Sequence, residues 1–255
     1  MHKQRRETIK GLLASKPFVS LEELCSLFPE VSEMTLRRDI EYFEERNLAI
    51  KVRGGCRSMS FISERPTEPR LTRPCPNLTA KRAISKAAAE LLETGRSIFI
   101  DSGTTMRTFT EFVPEKRYSF TTTDPIVATM LCRSGASAVN IVGGRLEGDN
   151  LTVTGLQASR FLSDINIDIA ILTPTGFSLD SGFTVASYNE CELKRIVAEK
   201  ARCVIMLMDS LKCGRSLPYT FCNIEDTDVI VTDSGIPREI VKAAARLGTR
   251  VIIAD

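Results

Sequence analysis

The chain has a single histidine, His2, among its 255 residues, so composition leaves no room for a buried imidazole acid/base or a Ser-His-Asp arrangement. Its eight cysteines, at 25, 56, 75, 132, 191, 203, 213 and 222, include no pair with the two-residue gap of a zinc knuckle. Neither a metal centre nor a disulfide framework is expected, and no cofactor. Cys25 and Cys203 fall in apolar runs, where a reduced thiol packs as a small hydrophobe. No run approaches the ~18 apolar residues of a membrane span. No apolar stretch follows the charged start Met-His-Lys-Gln-Arg-Arg, so no signal peptide is expected. The expectation is a cytoplasmic protein without membrane contact.

A charge excess is also nearly missing, since the net charge is +2. Its distribution is more informative. Residues 1–60 hold eleven Lys/Arg against nine Asp/Glu, and residues 61–255 hold 23 of each. Between 46 and 57 stand Arg46, Lys51, Arg53 and Arg57 with no acid. Such a local basic surface suits a compact DNA reader, although charge alone describes an ordinary solvated face as well.

Three helical patterns fill the first part of the chain. Residues 4–14 place Ile9, Leu12 and Leu13 at helical spacing. Ser20 followed by Glu23 predicts a capping box, ahead of the apolar stripe Leu21, Leu24, Cys25 and Phe28. The third helix is expected over 32–45, with Ser32 as N-cap and Val31 stapled onto Leu36. Leu36, Ile40 and Phe43 mark its buried side, which turns Met34, Arg38 and Glu41 outward with Thr35, Arg37 and Tyr42 on the flanks. Arginine can bond guanine O6 and N7 in bidentate fashion, and Ser and Thr hydroxyls reach phosphates or base edges. The same arginines can instead pair with Glu33 or Glu41. After the helix, Leu48-Ala-Ile-Lys-Val-Arg alternates as a strand and turns at Gly54-Gly55, predicting a basic hairpin whose Arg53 and Arg57 contact phosphates or the minor groove.

The runs Val31-Ser-Glu-Met-Thr-Leu-Arg-Arg-Asp-Ile and Leu48-Ala-Ile-Lys-Val-Arg-Gly-Gly-Cys resemble the DNA-binding signature of the DeoR family of bacterial regulators. Arg53 and Cys56 stand where that family usually has His and Ala. The resemblance implies a winged helix-turn-helix over 1–58, bound to double-stranded operator DNA. Its DNA-contacting residues would be Ser32, Met34, Thr35, Arg37, Arg38, Glu41, Arg53 and Arg57.

Residues 59–78 carry Pro66, Pro69, Pro74 and Pro76 without clear periodicity and read as a semi-rigid linker. From 79 to 255, helical and apolar-strand patterns alternate. Strands are expected at 97–101, 118–122, 138–142, 168–172, 203–208, 229–232 and 250–254, with helices at 81–92, from 105, at 126–133, near 190–200 and at 237–247. This α/β pattern predicts a mostly parallel sheet covered on both faces, with ligands beyond the carboxyl ends of its strands. Polar clusters stand at those ends: Asp101-Ser102-Gly103-Thr104-Thr105, then Thr121-Thr-Thr123-Asp, Gly143-Gly144 and Asp209-Ser-Leu-Lys212. Hydroxyls and N–H groups at 102–105 can cradle a phosphate. A short Ser/Gly/Thr turn also serves simply as a helix cap. Several clusters in series favour a small anionic ligand.

The same segments extend the resemblance across almost the whole chain. Lys81-Arg-Ala-Ile-Ser-Lys-Ala-Ala-Ala, Asp101 to Thr105, Gly143-Gly144, Gly155 and Asp209-Ser-Leu-Lys212 are similar to the DeoR effector domain, which itself resembles the sugar-phosphate isomerase/CoA-transferase fold. This implies a phosphorylated sugar or polyol as effector, a homo-oligomer on repeated half-sites, and repression of carbohydrate catabolism relieved by ligand. One departure is Thr173-Pro-Thr-Gly176, where the family more often has a glycine-rich segment. The rival reading is a working sugar-phosphate isomerase, which needs a carboxylate base. The matching segment has Lys194 where that glutamate would stand, with Glu190 and Glu192 nearby, so a non-enzymatic regulator is expected.

Overall fold

The computed structural model describes residues 2–16, 18–44, 46, 48–52, 54–58, 77–135, 138–148 and 151–255. The chain divides into two compact units, Met1–Thr67 and Glu68–Asp255. The segment expected as a linker lies outside the described residues as far as 76, and Leu78 already belongs to a helix.

The first unit runs α1 (His2–Ser15), β1 (Phe18–Ser20), α2 (Leu21–Leu27), α3 (Glu33–Glu44), β2 (Ala49–Val52) and β3 (Gly55–Ser58). The stripe Leu36, Ile40 and Phe43 is buried as its period requires, against Ile9, Leu13 and Leu24, and Val31 packs on the same core. Ser20 caps α2 by accepting from the Glu23 N–H at 3.0 Å. The capping box is only half built, because the Glu23 carboxylate receives the Lys16 ammonium at 2.5 Å. Sequence periodicity missed β1, whose three residues are too few to alternate visibly. It pairs with β3 in the register Phe18↔Arg57, Val19↔Cys56 and Ser20↔Gly55, giving the three-stranded order β1-β3-β2. A Cβ on Gly55 would stand 2.2 Å from the Val19 carbonyl oxygen, so the close approach of β1 requires glycine there.

The second unit continues with α4 (Leu78–Ala89), β4 (Ser97–Ile100), α5 (Thr104–Thr110), β5 (Ser119–Thr122), α6 (Pro125–Arg133), β6 (Ala138–Ile141), β7 (Arg145–Glu147), β8 (Thr152–Thr154), α7 (Leu156–Asp164) and β9 (Ile167–Leu172). After these come β10 (Gly176–Ser178), β11 (Gly182–Val185), α8 (Tyr188–Lys200), β12 (Ala201–Leu207), β13 (Tyr219–Cys222), β14 (Val229–Asp233), α9 (Arg238–Leu247) and β15 (Arg250–Ala254). Seven strands form one sheet in the order β15-β14-β12-β9-β4-β5-β6, and every pairing in it is parallel. Alternate residues enter two cores. Phe99, Ala170, Leu172, Val204 and Met206 meet α7, α8 and α9 on one face. Ile98, Ile100, Ile171, Ile205 and Leu207 meet α4, α5 and α6 on the other. The near-continuous apolar strands of the sequence follow from this two-sided burial. The short antiparallel pairs β7–β8 and β10–β11–β13, and helix α7, were not legible in the sequence.

Candidate functional site

In the first unit, α3 presents its outer face to solvent. Ser32 precedes the helix, with its hydroxyl 2.9 Å from that of Thr35 and 3.4 Å from the Thr35 N–H. Met34 is 63% exposed on that outer face. The two arginines are used differently. Arg37 donates to Glu33 from two nitrogens, at 3.0 and 2.7 Å. Arg38 is exposed and makes no hydrogen bond or ion pair among the described residues, only a longer-range attraction to Glu41. Glu41 receives Lys51 of β2 at 2.5 Å, which holds its carboxyl below the usual carboxylate range. Arg57 is exposed on β3, and Arg53 lies outside the described residues.

Sequence reasoning missed what fixes this helix from behind. Asp39 follows the arginine pair and is buried, where it accepts from Arg5 Nε at 2.6 Å and Arg6 Nε at 2.8 Å. Burial opposes its ionisation, but the hydrogen bonds from Arg5 and Arg6 outweigh that and hold its carboxyl below the ordinary value. Arg6 and Arg46 also stack on Tyr42, at 3.7 and 3.6 Å from the ring centroid. A carboxylate in an otherwise apolar helix stripe was the available signal.

In the second unit, parallel pairing brings every strand's carboxyl end to one edge. Read across β12, β9, β4, β5 and β6, the first or second residues beyond the strands place Asp209, Thr173, Asp101, Thr123 and Gly143 in spatial order. Gly144 has φ +153, and a Cβ there would stand 2.6 Å from the Thr154 carbonyl oxygen, so the turn out of β6 lies tightly on β8.

Asp101 and Lys194 are both buried and form an ion pair of 2.8 Å. Lys194 also meets Glu190 at 2.9 Å and donates to the Thr173 carbonyl at 2.6 Å. Burial disfavours its charge, yet Asp101 and Glu190 outweigh it and keep Lys194 an ammonium. Asp101 in turn accepts from the N–H groups of Ser102 at 2.8 Å and Thr173 at 2.9 Å. The Gly103 N–H, beside α5, donates to the buried Asp124 at 3.2 Å. Two N–H groups of the expected phosphate cradle are therefore engaged by the protein's own carboxylates. The hydroxyls of Ser102, Thr104, Thr105 and Thr123 take no hydrogen-bond partner among the described residues.

Lys212 stands in the short turn Ser210–Lys212 after β12, half-buried, its ammonium donating to the Thr173 hydroxyl at 2.7 Å. Asp209 is buried beside it but accepts from the Leu211 N–H. No carboxylate among the described residues lies within ion-pair range of Lys212. Burial, reinforced by the nearby ammonium groups of Lys81 and Lys194 and opposed by Asp209, lowers the Lys212 ammonium to about 7. Thr173 thus joins both lysines, in the very segment whose sequence departs from the family pattern. Lys81, buried on α4, and Asp124 complete the set and were not assigned to the site from sequence. Glu192 is exposed and accepts from Ser159 at 3.1 Å, outside this network. Among the described residues no cluster of metal-ligating side chains is present, and no helix is long and apolar enough to cross a membrane.

Comparison with known proteins agrees with this division. The DeoR-like helix-turn-helix domain matches residues 5–61, and the DeoR C terminal sensor domain matches residues 76–234. The uncharacterized HTH-type transcriptional regulator YgbI of Escherichia coli K12 is 27% identical, over 98% of this chain and 97% of its own. The glycerol-3-phosphate regulon repressor of the same strain is 28% identical over 94% of both. The putative aga operon transcriptional repressor of Escherichia coli O157:H7 is 28% identical, over 98% of this chain and 93% of its own. Among solved structures, ribose 5-phosphate isomerase A of Methanocaldococcus jannaschii overlaps with a TM-score of 0.38 and 15% identity, covering 52% of this chain and 53% of that one. With its reading and sensing parts each matched, the chain belongs to the DeoR family of helix-turn-helix transcriptional regulators.

Proposed function

We propose that the chain is a cytoplasmic repressor of a carbohydrate-catabolism operon, released from its operator by a phosphorylated sugar or polyol. In this reading residues 1–58 hold the DNA, 59–78 connect, and 79–255 sense the effector as a homo-oligomer on repeated half-sites. The observation that carries it is Lys212, an inward ammonium at the strand ends that rests on the Thr173 hydroxyl rather than on a carboxylate. A half-buried cation without a carboxylate partner is poised for an anion, and the open hydroxyls of Ser102, Thr104, Thr105 and Thr123 suit phosphate and sugar oxygens. Asp101, Gly103, Gly143, Gly144, Lys194 and Asp209 stand at or beside the same strand ends and are assigned to the same effector site. Relatives named as repressors of a glycerol-3-phosphate regulon and an aga operon support both the sign of regulation and the ligand class.

On the DNA side, Arg38 and Met34 read bases, while Ser32, Thr35, Arg37, Glu41, Arg53 and Arg57 border the groove or meet phosphates. Bound ligand changes operator affinity by the ratio of its affinities for the two states. Genome-wide mapping of bound DNA, followed by gel shifts with the phosphorylated intermediates of the neighbouring genes' pathway, tests the proposal. Bound sites away from metabolic operons, or gel shifts unmoved by every such intermediate, would overturn it.

A further inference from the structure

A second cation stands at the other side of the same strand ends. Arg107, on α5, has a side chain only 14% exposed, and its Nε is buried without a partner among the described residues. Its Nη2 makes one long contact, 3.4 Å to Asp124 Oδ2. Asp124 does not depend on that contact. Its Oδ1 accepts from the N–H groups of Ile126 at 2.8 Å and Val127 at 3.3 Å, and its Oδ2 from Gly103 at 3.2 Å. Nε–H and Nη2–H are the parallel donors with which arginine grips a carboxylate side-on. In Arg107 one of them is unused and the other is weakly held.

Arg107 lies one helical turn beyond Gly103, and helical side chains lean toward the N-terminus, here toward the strand ends. The open hydroxyls of Thr104 and Thr123 belong to the same corner. Lys212 follows β12, three ladder steps from β5 in the order β12-β9-β4-β5, or roughly 14 Å between strand axes. A gap of that order is within the span of a short carbon chain carrying an anion at each end.

We propose that Arg107 is a second anion anchor of the effector site, and that the effector is a phosphorylated sugar acid, with its phosphate on Lys212 and its carboxylate on Arg107. This inference rests on the phosphate reading of Lys212 given above. Binding would draw the guanidinium off Asp124, which keeps its three backbone donors. Arg107 then selects acids over the corresponding polyols.

The test avoids sugar stereochemistry. Thermal melting and titration calorimetry of the full chain compare inorganic phosphate, ω-phosphonoalkanoates of increasing chain length and alkylphosphonates of the same lengths. At one length the carboxylate form should bind about tenfold more tightly than its alkyl counterpart, the ratio of one charge-assisted hydrogen bond. Arg107→Gln should erase that difference while alkylphosphonate binding stays unchanged, and Lys212→Met should weaken both series. Should Arg107→Gln fail to fold, Arg107→Lys keeps the charge without the fork and should shrink the ratio. Equal binding of acids and alkyl forms at every length overturns the Arg107 assignment and leaves the phosphate reading intact. Absence of binding by phosphate and by all phosphonates overturns the phosphate reading, and this one with it.

Discussion

Lys212 rests its ammonium on the hydroxyl of Thr173, 2.7 Å away, and not on a carboxylate. A lysine so placed titrates near neutrality, at about 7. Between that value and the ~10.4 of an unfolded lysine, the unfolded chain holds a proton that the folded one lacks. Stability from this group therefore rises with pH across that window. An anion bound at Lys212 restores the proton, so anion affinity should fall as pH rises through about 7. Sulfate, which does not titrate there, is the probe. Its affinity should drop up to about tenfold per pH unit above 7, the limit for one coupled proton. Lys212→Arg, always charged, should flatten the profile, whereas an unchanged slope would remove Lys212 from the site.

Arg38 and Arg37 are adjacent but should behave differently. Arg38→Ala should lose ~1–3 kcal/mol on cognate DNA and relax base preference. Arg37 is already paired with Glu33, so Arg37→Ala should weaken binding with the preference intact. A binding-site selection on both variants decides this, and an unchanged profile for Arg38→Ala would refute its reading role.

Asp39 directly follows the base-reading position Arg38 yet faces inward, onto Arg5 and Arg6. Asp39→Asn should destabilise the first unit by about 3 kcal/mol, since it removes the buried charge that Arg5 and Arg6 share. The native carboxyl is held low, so its contribution is present above pH ~4 and is lost as pH falls through the folded-state value. Acid titration of the first unit's melting temperature should show this loss in the native chain and not in the variant.

Lys194 holds Asp101 and Glu190 together. Lys194→Met would remove the ammonium that two buried carboxylates share, and should cost the second unit roughly 3–5 kcal/mol in denaturant unfolding. Because this lysine is locked as an ammonium and Glu192 stands apart, pentose phosphates should not isomerise in the presence of the protein. Turnover abolished by Glu192→Gln would contradict the regulator reading.

Long periodic elements were legible before the structure. The stripe Leu36, Ile40 and Phe43 announced α3, and two-sided burial made β4, β9 and β12 read as apolar runs. Elements of three residues, such as β1, β7 and β10, carry too few positions to show a period. The strand-end residues could be collected from sequence because parallel strands bring their carboxyl ends together. Partnerships among them could not. Thr173 as the meeting point of two lysines, and Asp124 as the acceptor of the Gly103 N–H, depend on loops that no periodicity describes. Arg107 carried no motif of its own.

The pairing of β1 with β3 has a mechanical meaning. A hairpin joined only by its own turn bends easily, and its tip can change angle without disturbing the helix that precedes it. Here Ser20 begins that third strand's bond to Gly55 and also caps α2, so one residue couples the wing to the helical core. Wing and recognition helix consequently behave as a single caliper jaw. On the proposed oligomeric reading, an effector would therefore act on the spacing between whole jaws and not within one.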